Sequence, residues 1–313
     1  MKYMILGGGG VFANHLAKHL LDKWEEVVAV GRGKRKECFS LGVGEGNKNY
    51  QYHQIHIVRE MDRLLALIKA EKPDFIINFA ALAYANSWDA PELFYNTNLM
   101  APVALLQHTK DIKFVQISSS EVYGSTITPA TEDAPLNPTS PYAVSKLATD
   151  LHLKTLDQPF NIVRPSNCYG EGQYTYRIIP KAILYMLKGK PFPLQGGGIA
   201  EKSFMHAQDL ANAVETICFY GRQGETYNVG SDLPISMRGL VEEVRRQLGF
   251  GEIEVAEGRA KEDSKYWIDS SKMKLLGWRP RVDLERGIAG MIEWCYKYKE
   301  DLMQEPDTYE LRA

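Results

Sequence analysis

Tyr142 and Lys146 stand four residues apart in Tyr142-Ala143-Val144-Ser145-Lys146, directly after Ser140-Pro141. Proline suits the first position of a helix, so the spacing predicts a helix that sets the phenol and the ammonium one turn apart on one face. A phenol titrates near ~10 in water and is a poor base at neutral pH unless a nearby cation favours its anion. Lys146 could be that cation. The tyrosinate would then take a proton from a hydroxyl as hydride leaves the same carbon. Ser119, in the upstream run Ser118-Ser119-Ser120-Glu121-Val122-Tyr123-Gly124, would share the hydrogen bond and hold the oxygen. The competing reading is an amphipathic helix with an incidental Tyr and Lys.

The elements that must position these groups begin at the N-terminus. Tyr3-Met4-Ile5-Leu6 is an apolar run, Gly7-Gly8-Gly9-Gly10-Val11-Phe12-Ala13 follows it, and Leu16, Leu20 and Leu21 continue with helical spacing. Strand, glycines, then helix is the context of a dinucleotide-binding turn, where backbone approaches a pyrophosphate and a helix N-terminus faces it. Gly7, Gly10, Val11 and Phe12 are the expected cofactor contacts, with Ala13 at the third small position. Further runs at Val27–Val30, Phe75–Phe79, Phe114–Ser118 and Phe160–Arg164 alternate with helical patterns such as Met61–Ala70. That alternation predicts an α/β fold, a doubly wound parallel sheet. The expected division is residues 1–165 as the dinucleotide-binding domain, joined by later segments near 205–235, and 166–313 as a smaller substrate lobe. The glycine-rich Leu41–Asn47 reads as a mobile surface loop.

Composition narrows the function. The chain has 313 residues and a net charge of -2, with no basic stripe, which argues against a nucleic-acid partner. Cys38, Cys168, Cys218 and Cys295 are scattered without metal-ligand spacing, so no metal is expected and reduced thiols are the default. No apolar run reaches the roughly 20 residues that span a bilayer, and Met1-Lys2-Tyr3 leads straight into a strand. A cytoplasmic enzyme without a membrane partner is the expectation.

With these motifs in order, the chain resembles the extended short-chain dehydrogenase/reductase family, in its nucleotide-sugar epimerase and dehydratase branch. The resemblance runs through Asn78-Phe79-Ala80-Ala81, Asn96-Thr97-Asn98, Ser118 to Gly124, Tyr142 to Lys146 and Arg164-Pro165-Ser166-Asn167-Cys168-Tyr169-Gly170. It continues through Phe204 to Leu210, Glu225 to Gly230 and Leu276-Gly277-Trp278-Arg279-Pro280. It implies catalytic roles for Ser119, Ser120, Glu121, Tyr142 and Lys146, and cofactor contacts from Ala80, Ala81, Asn98 and Pro165 besides the glycine turn. It also implies a nucleoside-diphosphate sugar as substrate, met by Tyr84, Asn167, Gln195, Lys202 and Arg259, with Phe192 and Leu194 near the base. Lys202 stands where relatives place Arg, a point charge in place of a fork. A homodimer built on two helices of the first domain, one carrying the Tyr-Lys pair, is a further implication.

Three departures matter. Relatives that use NAD carry an acidic residue at the end of the second strand to hold the ribose hydroxyls. Here the strand ends Val30-Gly31-Arg32-Gly33-Lys34-Arg35, so Arg32 with Arg35 could pair a 2′-phosphate; NADP is favoured, with tightly held NAD as the alternative. His56-Ile57-Val58 replaces an Asp-Ile pair near the adenine. Ser120 stands where dTDP-glucose 4,6-dehydratases have an acid that protonates the departing 6-hydroxyl, while Glu121 matches their C5 base. Nucleotide-sugar 4,6-dehydration leads, with 4-epimerisation, 4-reduction and uronate decarboxylation as alternatives. A dinucleotide-binding regulatory module is the alternative of another class.

Overall fold

The computed structural model describes residues 1–83, 87–231, 233–258 and 265–309. Strands β1 (Lys2–Leu6), β2 (Glu26–Gly31), β3 (Tyr50–Gln54), β4 (Phe75–Asn78), β5 (Lys113–Ile117) and β6 (Phe160–Pro165) form one sheet. Its strand order is β3-β2-β1-β4-β5-β6, and all these pairs are parallel. β7 (Asn167–Tyr169), β8 (Phe192–Gln195) and β9 (Glu201–His206) leave it, and β10 (Thr226–Val229) returns as a seventh strand beside β6. β1, β4, β5 and β6 read as near-continuous apolar runs because helices cover both faces of a parallel sheet. The order reverses between β1 and β4, and the crevice beyond their carboxyl ends is where such sheets take ligands.

The lobe is built on β9, which pairs with β7, with β11 (Pro234–Ser236) and with the short β13 (Lys265–Tyr266). β12 (Ile253–Ala256) pairs with β8. Helices Ile178–Leu187, Met237–Leu248 and Leu284–Lys297 close its core around Ile183, Leu240, Ile288 and Met291. In the helix Leu284–Lys297, Gly287 and Gly290 leave space: a Cβ would come within 2.1 Å of the Tyr169 phenol at the first and 2.3 Å of Glu171 Oε1 at the second.

Leu41–Asn47 lies at the surface, with Gly42, Glu45, Gly46 and Asn47 exposed, but it is anchored at Val43, and the residues just before it are packed. Glu37–Ser40 forms a short helix whose Cys38 and Phe39 pack into the lobe core, and Trp294 Nε1 donates to the Cys38 carbonyl at 2.8 Å. Val43 is buried in the core of the large sheet, and Gly42, Gly44 and Gly46 take positive φ so that the chain can double back. Arg35 staples the segment. Its Nη1 donates to Val43 O at 2.8 Å, its Nη2 to Asn14 Oδ1 at 3.2 Å, and its guanidinium lies over the rings of Tyr50 and Tyr52.

Candidate active site

Residues after β1 make the floor of the crevice. Gly7 adopts φ 80, and a Cβ there would meet Ala80 N at 2.6 Å, so only glycine lets the turn pass under the loop that follows β4. Gly10 is the N-cap of the helix Val11–Leu21, and the first N–H groups of that helix, including those of Val11 and Phe12, point into the crevice end of the sheet without a side-chain cap. A cradle of this kind, with no Cβ in the way and a helix N-terminus behind it, fits a dinucleotide pyrophosphate.

The loop beyond β4 is held in turn. Ala80 N donates to Asn78 Oδ1 at 3.1 Å, and Asn78 Nδ2 to Gln116 Oε1 at 2.8 Å, which tethers Ala80 and Ala81 between two strand ends. Asn98 lies in the π-helical turn Asn96–Met100 and is buried. Its Oδ1 accepts from Leu82 N at 2.8 Å, and its Nδ2 donates to Leu82 O and to Ser145 Oγ. Both amide hydrogens are thereby used within the protein, and Asn98 ties the loop after β4 to the helix that carries Tyr142.

The helix Pro141–Leu153 starts as its sequence requires. Ser140 caps it by accepting from Ala143 N at 3.1 Å, and Pro141 occupies the first turn. Tyr142 sits within that first turn, where the helix dipole favours an anion, and its N–H is fixed by Ser87 Oγ at 3.1 Å. Ser119 follows β5 and caps the 3-10 turn Ser120–Tyr123. Its Oγ accepts from Glu121 N at 3.2 Å and hydrogen-bonds the Tyr142 phenol. Tyr142, Ser119 and Glu121 therefore converge on one point, with Ser120 buried behind them. Pro165 ends β6 beside this group, at the carboxyl edge of the sheet.

The electrostatics of the point are sharply divided. Burial, and then the Glu121 carboxylate, push the Tyr142 phenol above its ordinary range; the Ser119 hydrogen bond and the Arg177 charge pull it back. Lys146 is buried, and desolvation brings its ammonium down to about 8, against the opposing pull of Asp150. Arg177, missed in the sequence, precedes the helix Ile178–Leu187, and its Nη2 donates to Ala83 O at 2.7 Å. No motif announces it, because its position follows only from how the lobe folds over the crevice.

The expected substrate contacts lie apart from the proton-transfer group. Asn167 is on β7, opposite Phe204 of β9; Lys202 is on β9 with its ammonium over the Tyr266 ring; Gln195 is exposed at the end of β8. Tyr84 and Arg259 fall outside the described residues. Arg32 is exposed at the end of β2, whereas Arg35 turns away to its staple, so of the two arginines expected to meet a 2′-phosphate one is engaged elsewhere. The motifs near the C-terminus knit the lobe to the sheet: Asp209 accepts from Arg281 N and Val282 N, and Trp278 Nε1 donates to the Asp209 carbonyl.

A glycine turn at the switch point, a Ser-Tyr-Lys group at the end of the next strands and a folded-over lobe define the short-chain dehydrogenase class in its extended, sugar-nucleotide form. The family model described as GDP-mannose 4,6 dehydratase matches residues 4–291, and the chain belongs to that family. It is 31% identical over 308 residues to the low-salt glycan biosynthesis protein Agl12 of Haloferax volcanii, covering 94% of this chain and 98% of that one. Among solved structures it is similar to DesIV, a dTDP-glucose 4,6-dehydratase from Streptomyces venezuelae with NAD and TYD bound. That match has a TM-score of 0.89 at 27% identity, over 96% of this chain and 98% of the other. It is also similar to the UDP-glucuronic acid 4-epimerase of Bacillus cereus in complex with UDP-glucuronic acid and NAD, with a TM-score of 0.86 at 25% identity over 95% and 99% of the two chains.

Proposed function

We propose that this protein is a nucleotide-sugar 4,6-dehydratase. The observation that carries the reading is Glu121 set beside Tyr142, because elimination needs two bases at adjacent carbons whereas simple oxidation or epimerisation at C4 needs one. Tyr142, hydrogen-bonded to Ser119, takes the proton of the C4 hydroxyl. A bound nicotinamide dinucleotide, held by the glycine turn, the Val11 and Phe12 N–H groups and Lys146, supplies the hydride acceptor at C4 and the hydride donor at C6. With C4 a ketone, the C5 hydrogen is acidic, and Glu121 removes it. Ser120 is too weak an acid to protonate the departing C6 hydroxyl, so Glu121 passes its newly gained proton to that oxygen, directly or through a water held by Ser120. One water leaves for each proton taken from C5 and each hydroxyl lost from C6.

Asn167 and Lys202 are the proposed diphosphate contacts, joined by Arg259 and Tyr84, and Gln195 borders the base. Arg177 stands over the sugar. The dinucleotide reading is NADP, supported by Gly31 in place of a carboxylate and by the exposed Arg32. A homodimer is supported by Met100, Val144 and Leu151, which are 55%, 39% and 50% exposed on the packed helices Ala101–Leu106 and Pro141–Leu153 and the turn before them. A cytoplasmic site fits four free cysteines, and among the described residues no helix is long and apolar enough to cross a membrane.

Mass spectrometry of nucleotide sugars incubated with the protein tests the reaction. Loss of water from a nucleotide hexose is the expected result. Loss of carbon dioxide from a uronate, or isomerisation without mass change, would replace this reading with decarboxylation or epimerisation.

A further inference from the structure

The helix Pro141–Leu153 carries a third ionisable group in register with Tyr142 and Lys146. Asp150 lies one further turn inward, and Lys146, Asp150 and Arg164 are 2%, 0% and 1% exposed. Asp150 Oδ2 accepts from Arg164 Nε at 3.1 Å and from Ser118 Oγ at 2.9 Å, so β5 and β6 both grip it. Arg164 Nη1 donates to the Tyr123 phenol at 2.9 Å, and Tyr123 donates to Asn228 Oδ1 at 2.8 Å, which extends the chain to β10. Among the described residues Asp150 Oδ1 and Arg164 Nη2 have no hydrogen-bond partner although both are buried.

A buried ion pair gives little stability over an apolar pair of the same size, so stability alone does not account for this one. Its placement does. A lysine in a dry interior sheds its proton unless a negative charge opposes the desolvation, and Asp150 is the charged group that acts on Lys146. Burial pushes the Asp150 carboxyl above its ordinary range, and the charge of Arg164, with the hydrogen bonds from Ser118 and Arg164, pulls it back toward the ionised form. We propose that Asp150, gripped by Arg164 and Ser118, is a positioning residue that keeps Lys146 charged and so keeps the Tyr142 phenol able to ionise. This rests on the reading of Tyr142 and Lys146 as the proton relay. The other charged or titratable groups around the line are Glu121 and Arg177, which face Tyr142, Cys168 of β7 beside it, Tyr123, which faces Arg164, and Glu132, which faces Tyr123.

The test is the pH dependence of two quantities in the full-length protein: affinity for reduced dinucleotide, followed by its fluorescence without substrate, and C4 oxidation of a nucleotide hexose. Asp150→Asn is expected to move the alkaline limb of both at least one pH unit lower, leaving values at pH ~6 close to wild type and about tenfold down near pH ~8. Arg164→Met is expected to move the limb downward as well, because Asp150, buried without its cation, takes up a proton and no longer opposes the desolvation of Lys146, and Arg164→Lys to leave it in place. Downward shifts from both halves of the ion pair, with values at pH ~6 kept and Arg164→Lys unshifted, are not produced by loosened packing, which lowers values at every pH. If Asp150→Asn does not fold, the Arg164→Met and Arg164→Lys pair decides the matter. Limbs that coincide in wild type and variants overturn the proposal. Shifted limbs in dinucleotide affinity with no turnover of any nucleotide hexose uphold it and remove the dehydratase reading instead.

Discussion

The two ends of the dinucleotide crevice are built on opposite plans. At the end near Tyr142, the polar groups are buried and fixed from several directions: Ser119 by the Glu121 N–H, Asn98 by Leu82 and Ser145, Asp150 by two strands. At the end near β2, the strand stops at Gly31, Arg32 is exposed, and Tyr52 covers the glycine, with its phenol donating to Gly33 O at 2.6 Å. The first end tolerates little change, since each group is another's partner and a broken buried bond leaves an orphan. The second is a surface, and under the NADP proposal one side chain on it, Arg32, sets the preference. On that proposal chemistry is written into the interior and cofactor choice into the rim.

Substitutions at the two ends should behave accordingly. Tyr142→Phe removes the proton acceptor but neither the glycine turn nor Lys146; C4 oxidation should fall about a thousandfold while dinucleotide binding, measured by fluorescence titration, stays within a few-fold of wild type. Glu121→Gln should still reduce bound cofactor on addition of nucleotide hexose but eliminate water roughly a hundredfold more slowly, accumulating the 4-keto sugar in the mass spectrum. Full dehydration by that variant would make the carboxylate a structural acceptor only. Arg32→Asp, at the exposed end, should weaken NADP by roughly tenfold to a hundredfold and shift preference toward NAD, with turnover on saturating cofactor unchanged. Cofactor released from the denatured wild type that is NAD alone, together with an unmoved preference in the variant, would erase the contrast at that end. Ser140→Ala should have the smallest effect, costing about 1 kcal/mol through the lost helix cap and lowering the melting temperature by about 2 °C.

The parallel sheet was legible because its strands are nearly continuous apolar runs between helical patterns, and the fold class followed from that alternation. The turn at Gly7 and the helix opening at Ser140-Pro141 were legible because glycine and proline have few other uses at those points. Arg177 and the Asp150–Arg164 pair were not, since nothing local distinguishes a cation that folds over a cleft or an acid that faces inward from one that faces water. The surface position of Leu41–Asn47 was legible in its composition, but its anchor at Val43 was not, because the group that fixes it, Arg35, comes from outside it.

The segment just before Leu41–Asn47 is tied to residues far along the chain: Trp294 reaches Cys38 across a separation of 256 residues, and Lys36 pairs with Glu305. During synthesis the N-terminal strands can leave the ribosome and begin to pair long before Leu284–Lys297 exists, so the backing of the adenosine end arrives last. A chain stopped before Leu284 is expected to be cut by protease within residues 33–47 while β1 and β4 stay protected. Equal protection of that segment in the truncated chain would show that it closes without the helix Leu284–Lys297.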